Sequence, residues 1–233
     1  MKLKRFGETT RWLAIGVSII AGMSNYSLAH AATTTFSYSG PAVPIPDGVD
    51  LSGSLPGAEV GAPIAVSGLT GLVGKVTLSI DGTACSATEG STTVGIDHTY
   101  VNDLGIKLRS PTGTEVVVIL NTDGSGNNLC QVVLDDAAPT SIQTAVTAQA
   151  PFTGTWAPNA PLSAFAGQSA NGTWTLLAQD FFSNDIGSIR AWSITITDAV
   201  PIPTAIPTLS QWGMLILSSL LAFGSVVLMR RRR

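Results

Sequence analysis

Apolar and polar positions alternate with a period of two in several stretches of the middle of the chain. In "LVGKVTLSI", Val76, Leu78 and Ile80 fall on one face and Lys75, Thr77 and Ser79 on the other, the pattern of a half-buried strand. "DLGIKLRS" repeats it, with Leu104, Ile106 and Leu108 inward and Lys107 and Arg109 outward. Ser110-Pro111-Thr112-Gly113 then presets a turn, and "TEVVVIL" follows, so a hairpin is predicted. The unbroken apolar run Val116 to Leu120 predicts a strand covered on both faces. Leu129 to Leu134 predict another strand, and residues 135–150 an irregular excursion. "TGTWAP" predicts a strand end, and "PLSAFAG" one helical turn started by Pro161. Asn171-Gly172 predicts a tight turn launching "TWTLLAQD" as a strand. "IRAWSITITD" predicts a last strand, with Trp192, Ile194 and Ile196 on one face. Residues 33–66 read as short edge strands joined by turns, because Pro44, Pro46, Pro56 and Pro63 oppose both helix and central strand. No helix longer than a turn is predicted between 33 and 199, so the fold class is all-β, a sandwich.

The two ends break this pattern. Lys2, Lys4, Arg5 and Arg11 precede a short apolar run from Leu13 to Met23, and Ala29-His30-Ala31 supplies small residues for cleavage. Residues 1–31 therefore read as a signal peptide cut after Ala31 by signal peptidase, with an uncleaved anchor as the alternative. At the other end, residues 200–205 form a Pro-rich linker. Trp212 to Met229 carry no charge and would span roughly 27 Å as a helix, enough for a bilayer core. Arg230, Arg231, Arg232 and Arg233 would keep the end of the chain in the cytoplasm.

Charge sharpens the picture. Between Ala32 and Ala199 stand four cations (Lys75, Lys107, Arg109 and Arg190) against fourteen Asp and Glu, a net of -10. That balance argues against nucleic acid as a partner and favours cations. The exported part holds two cysteines, Cys85 and Cys130, which point to one disulfide closing a loop of about 45 residues. Two separate buried thiols are the alternative; a zinc site lacks a nearby histidine. His98 is the sole histidine after residue 31, and no G-x-S-x-G elbow occurs, so a serine hydrolase is disfavoured. Asp103, Asp135, Asp136, Asp180 and Asp185 fall at strand ends or turns. They are read either as turn formers or as oxygen ligands of calcium, with Asp103, Asp135, Asp136 and Asp180 the candidate calcium residues.

"HTYVNDLGIKLRSPTGTEVVVIL", "LDDAAP", "FTGTWAPNAPLSAFAGQSANGTWTLLAQD" and "GSIRAWSITI" occur in this order. Together they resemble the P domain, or Homo B domain, of the proprotein convertases over roughly residues 34–198. The resemblance implies a jelly-roll-like β-sandwich with Trp174 and Trp192 in the core, a tight turn at Asn171 and Gly172, and calcium. Two departures stand out. Nothing upstream of residue 34 offers room for a subtilisin-like catalytic domain, and "DGTACSATEGSTTVGI" lengthens the stretch before His98. A second resemblance lies in the tail. Ile206-Pro207-Thr208-Leu209, then Trp212-Gly213, an apolar helix and the arginine cluster are similar to an IPTL-type sorting signal, in the layout of exosortase substrates. It implies a Gram-negative bacterium, an exosortase-like membrane sorting protease as partner, transient anchoring over residues 206–233, and release to the cell surface or matrix. An ordinary single-span anchor is the alternative.

The sandwich of residues 32–199 is thus expected to be non-enzymatic, a structural or adhesive module of the cell surface. The rival readings are an accessory or binding module for a surface protease or polysaccharide, and a stand-alone hydrolase using Asp180 or His98.

Overall fold

The computed structural model describes residues 31–199 and 209–231. The signal segment before Ala31, the linker 200–205, and Ile206, Pro207, Thr208, Arg232 and Arg233 lie outside the described residues. Among the described residues the strands are β1 (Thr33–Ser37), β2 (Val43–Ile45), β3 (Val60–Val66), β4 (Val73–Ile80), β5 (Ile96–His98) and β6 (Leu104–Arg109). They continue as β7 (Glu115–Leu120), β8 (Leu129–Leu134), β9 (Phe152–Trp156), β10 (Gly172–Asp180), β11 (Gly187–Ile189) and β12 (Trp192–Asp198). Between 33 and 199 the helical content is single 3-10 turns, one of them Leu162–Phe165 with Pro161 at its N-cap.

Two mostly antiparallel sheets face each other. One runs β1-β12-β4-β8-β5-β11-β2, with β9 added parallel to β8, and the other runs β3-β10-β6-β7. The alternation in the sequence becomes the packing. Val76, Leu78, Ile80, Trp192, Ile194 and Ile196 project from the first sheet, and Ile64, Leu104, Ile106, Leu108, Trp174 and Leu176 from the second, all into one core. Each such side chain contributes roughly 1.5–3 kcal/mol when removed from water. Trp174 is fully buried, stacks edge-on against Phe165 at 5.0 Å between ring centroids, and donates from Nε1 to Ala170 O at 2.9 Å. Both tryptophans occupy the core, as expected. The proline-bearing segments are edges: β2 and β1 close the first sheet, and β3, with Pro63, closes the second. An edge tolerates a residue that cannot donate to the ladder.

Three expectations are corrected. The run Val116–Leu120 is not a strand covered on both faces; β7 is the edge of its sheet. Ile106 opposes Ile119 while Lys107 opposes Val117, so Val118 is a bulged extra residue. The bulge resets the inward–outward alternation, and so Val116, Val118 and Ile119 are all buried. The open side of β7 is partly closed by loop donors, with Asn159 N and Ala160 N reaching Val118 O and Val117 O at 2.8 and 3.0 Å. Second, the last predicted strand is two. Arg190 N and Ala191 N both donate to Gly95 O, which interrupts the ladder between β11 and β12. Third, Asn171 works as a side-chain clasp across the chain: its Oδ1 accepts from Leu69 N at 3.1 Å and its Nδ2 donates to Leu69 O at 2.7 Å.

The long stretch before His98 is folded back on β8. Cys85 is bonded to Cys130, and Gly82 has φ +152, with an added Cβ falling 2.6 Å from the Cys130 sulfur. Only glycine leaves room for the bridge there. Asn128, buried with φ 71, donates to Ser86 O and Thr88 O at 2.8 and 2.9 Å while its Oδ1 accepts from His98 N at 3.0 Å.

Leu209–Arg230 forms the 22-residue helix α1, opened by Leu209, Trp212 and Gly213 of the tail motif. Gly213–Arg230 has a mean hydropathy of 1.8, long and apolar enough to cross a membrane, and is unburied. Ser218 and Ser219 donate back to Leu215 O at 3.0 and 2.7 Å, and Ser225 to Ala222 O at 2.8 Å. Those hydroxyls need no outside partner, which suits a helix in lipid.

The disulfide is the single covalent tie on this extension. Replacing Cys85 and Cys130 together by serine is expected to lower stability by about 2–4 kcal/mol. Urea unfolding of wild type and double variant measures it; coincident curves would show that the bridge carries no stability.

Candidate functional site

One end of the sandwich brings together a histidine and three aspartates from distant parts of the chain. β5 brings His98 from the first sheet, β10 ends in Asp180 from the second, Asp103 stands immediately before β6, and Asp185 lies in the loop leading to β11. His98 and Asp180 are both fully buried, with His98 Nε2 3.1 Å from Asp180 Oδ2. The other ring nitrogen lies 3.3 Å from Tyr100 N and 3.0 Å from Tyr100 O. In the tautomer that lets Tyr100 N–H donate to Nδ1, Nε2–H donates to Asp180. Asp180 Oδ1 accepts from Phe182 N at 3.1 Å, so both carboxylate oxygens are satisfied. β11 crosses close by because residue 187 is glycine: a Cβ there would meet Asp97 O at 2.2 Å and His98 Cδ2 at 2.6 Å.

Asp103 and Asp185 sit above this pair. Asp185 Oδ1 accepts from Thr99 Oγ1 at 2.5 Å, and Asp185 N donates to Asp47 Oδ1 at 3.2 Å. Burial, the hydrogen-bonded Asp185 carboxyl and the charges of Asp185 and Asp180 push the Asp103 carboxyl up to about 6, with His98 opposing. Asp103, Asp185, Leu51, Tyr100, Phe182, Ser183 and Asn184 line an open hollow of about 460 Å³.

The four candidate calcium residues do not form one site. Asp103 and Asp180 share the end just described. Asp135 and Asp136 lie at the opposite end, where β8 finishes and β10 has yet to begin. Asp135 pairs with Lys75 at 2.7 Å and accepts from Ala137 N at 2.9 Å; the hydrogen bond from Lys75 leads in holding its carboxyl below the ordinary value. Asp136 accepts from Leu162 N and Ser163 N, both at 2.8 Å, and caps the 3-10 turn. Each oxygen already has a backbone or lysine donor, which explains why these aspartates stand where turns need them. Among the described residues no group of three or more His, Cys, Asp or Glu side chains converges to hold a metal ion.

His98 is held as a buried structural partner of Asp180. A nucleophile–base pair needs a hydroxyl on the free imidazole nitrogen and access to substrate. Here that nitrogen faces the Tyr100 backbone and His98 is sealed from solvent, while the neighbouring Thr99 hydroxyl donates to Asp185. Asp47, Thr99 and Asn128 escaped the sequence reading. Only Asn128 carried a signal, as an asparagine in a Gly/Asn-rich stretch, the residue type that tolerates a left-handed backbone.

Residues 89–196 match the family model of the proprotein convertase P-domain, and residues 204–233 match that of the IPTL-CTERM motif. The segment similar to the P-domain lies within the β-sandwich, and the segment similar to the IPTL-CTERM motif takes in helix α1. The P-domain match takes in β5 to β12, while β3 and β4 lie before it yet pair with β10 and with β12 and β8. The chain is 29% identical over 163 residues to leupeptin-inactivating enzyme 1 of Streptomyces exfoliatus, a match that takes in 67% of this chain and 28% of that protein. Among solved structures, the serine protease of Aeromonas sobria aligns with a TM-score of 0.38 and 18% identity, over 75% of this chain and 28% of that one. The complex of that protease with a chaperone aligns at 0.37 and 17%, over 73% and 27%. This chain thus spans well under half the length of the relatives it matches.

Two measurements test the site. A carboxyl with a raised folded pKa binds its proton more tightly in the native state, so its contribution to stability declines as pH rises from about 4 to about 6. Asp103→Asn is expected to lose that decline, so that wild type gains more melting temperature than the variant between pH 7.5 and pH 5. An equal gain in both would remove Asp103 as the cause. His98→Ala strands the buried Asp180 carboxyl and is expected to destabilise by about 3–5 kcal/mol, read by chemical denaturation. A loss under 1 kcal/mol would mean the pair is not a tie between the sheets.

Proposed function

We propose that this chain is an exported, non-catalytic module that works by contact, as a structural or adhesive component of the surface or matrix of a Gram-negative bacterium. The observation that carries the reading is the IPTL-CTERM match directly behind a P-domain sandwich. In this reading signal peptidase removes residues 1–31 and α1 holds the chain in the inner membrane. An exosortase-like sorting protease then cuts near Thr208 and releases the sandwich. The exposed apolar helix supports transient anchoring. The sealed His98–Asp180 pair supports a contact role over a catalytic one.

A second reading is favoured by the match to leupeptin-inactivating enzyme 1: an accessory module of a surface protease. Deletion of the gene separates the two. Loss of surface attachment with unchanged extracellular proteolysis supports the first reading, and lost proteolysis with a co-purifying protease supports the second.

Mass spectrometry of the mature chain from intact cells tests the sorting step. A C-terminus near Thr208 is the expected result, and a chain still ending in Arg233 overturns it.

A further inference from the structure

Every cation described in the sandwich is already paired: Lys75 with Asp135, Lys107 and Arg109 with Glu59 and Glu115, and Arg190 with Asp97. Asp103 and Asp185 have none, although only 9% and 8% of each residue is exposed. Among the described residues the one hydrogen-bonding neighbour given for the Asp103 carboxyl is another acid, the Asp185 carboxyl, and no cation. Nearly buried carboxylates without a counter-charge are rare unless something outside the chain supplies one.

A second, independent feature lies on the same segments, with Leu51 and Tyr100 lining the hollow itself. Val49, Leu51 and Leu55 are 70%, 73% and 55% exposed, and Tyr100 and Ile186 47% and 68%. These side chains are not on a loose loop. Val49 N donates to Leu55 O at 2.8 Å, closing loop 47–55. Ser183 N donates to Asp50 O at 3.0 Å, and Asn184 N to Asp47 Oδ2 at 3.1 Å, tying that loop to the turn after β10. Asp50 is itself held by Ser52 and Ser54. The result is a pre-formed hollow with aliphatic and aromatic walls and two acidic groups as its floor. Clustered exposed apolar residues on a fixed framework mark contact surfaces.

The geometry points to this hollow as the docking site for an arginine side chain of a protein partner, seated on Asp103 and Asp185 with its stem against Leu51 and Tyr100. The charge complementarity is the argument for the occupant: a guanidinium presents several donors in a plane, matches two adjacent carboxylates, and stacks on an aromatic ring. A metal ion fits less well, because the third carboxylate, Asp180, is already committed to His98 and Phe182 N. This rests on the reading of the sandwich as a contact module, and it names the kind of contact.

The test uses the full chain in detergent micelles and a synthetic peptide with arginine between two leucines and a photoreactive group at its N-terminus. The expected result is cross-linking within residues 47–55 or 182–186. Binding should weaken at least tenfold when glutamine replaces the peptide's arginine, in Asp103→Asn with Asp185→Asn, and in Leu51→Ser. Leu51 is exposed, so its substitution leaves the core intact and still reports on the hollow. Cross-links elsewhere, or equal affinity for the glutamine peptide, overturn the proposal. So does calcium chloride that occupies Asp103 and Asp185 at micromolar concentration and blocks the peptide. A mature chain ending in Arg233 would sink the sorting reading and leave this result standing.

Discussion

The two sheets are joined at one end by a buried polar contact, His98 Nε2 to Asp180 Oδ2 at 3.1 Å. A hydrophobic core is indifferent to small shifts of one sheet over the other, but a buried hydrogen bond is not, since its loss leaves a carboxylate without water or donor. That contact fixes how β5 meets β10, and the neighbouring features follow from it. Asp103 and Asp185 are placed over it by the residues immediately flanking β6 and β11. Asn128 reaches from the start of β8 to the His98 backbone and, on its other side, to the extension pinned by the Cys85–Cys130 bridge. Disulfide, asparagine and histidine thus form one continuous tether through the first sheet.

Charge is distributed with the same economy. Lys107 and Arg109 stand on the outward face of β6 among Glu59 and Glu115, and Lys75 and Arg190 each hold one aspartate. The lysine pairs and Arg109 are partly exposed and contribute little stability, Arg190 and Asp97 are more buried, and all of them leave the acidic end uncompensated. An acidic hollow lined by Leu51, Tyr100 and Phe182 is the outcome. It costs the isolated sandwich stability and provides a surface with a defined electrostatic preference.

The tail obeys different physics. Helix α1 exposes Met214, Leu215, Ile216, Leu217, Leu220, Leu221 and Phe223, which no protein side chain covers among the described residues. Water would oppose that exposure and lipid would not. The helix and the sandwich therefore belong to different solvents, a separation consistent with a domain that passes through the membrane stage and works beyond it.

Much of this was legible in the residues themselves. Period-two alternation placed β4, β6, β8, β10 and β12, because a pleated strand packed on one face must alternate. The prolines of residues 33–66 marked the edges, because proline cannot donate to a ladder. The cysteine count indicated the bridge, and the uncharged run before the arginines indicated the spanning helix. What alternation could not show is where it is reset: Val118 and Arg190–Ala191 interrupt their strands through backbone pairing that depends on distant partners. Nor could it show which aspartates meet. Asp103, Asp180 and Asp185 converge with His98 across 82 residues of sequence, while Asp135 and Asp136 cap turns at the far end. Local pattern determines the face a side chain takes on its own strand. Which residues then become neighbours is decided only when the strands are ordered into sheets, because that order is set by long-range pairing.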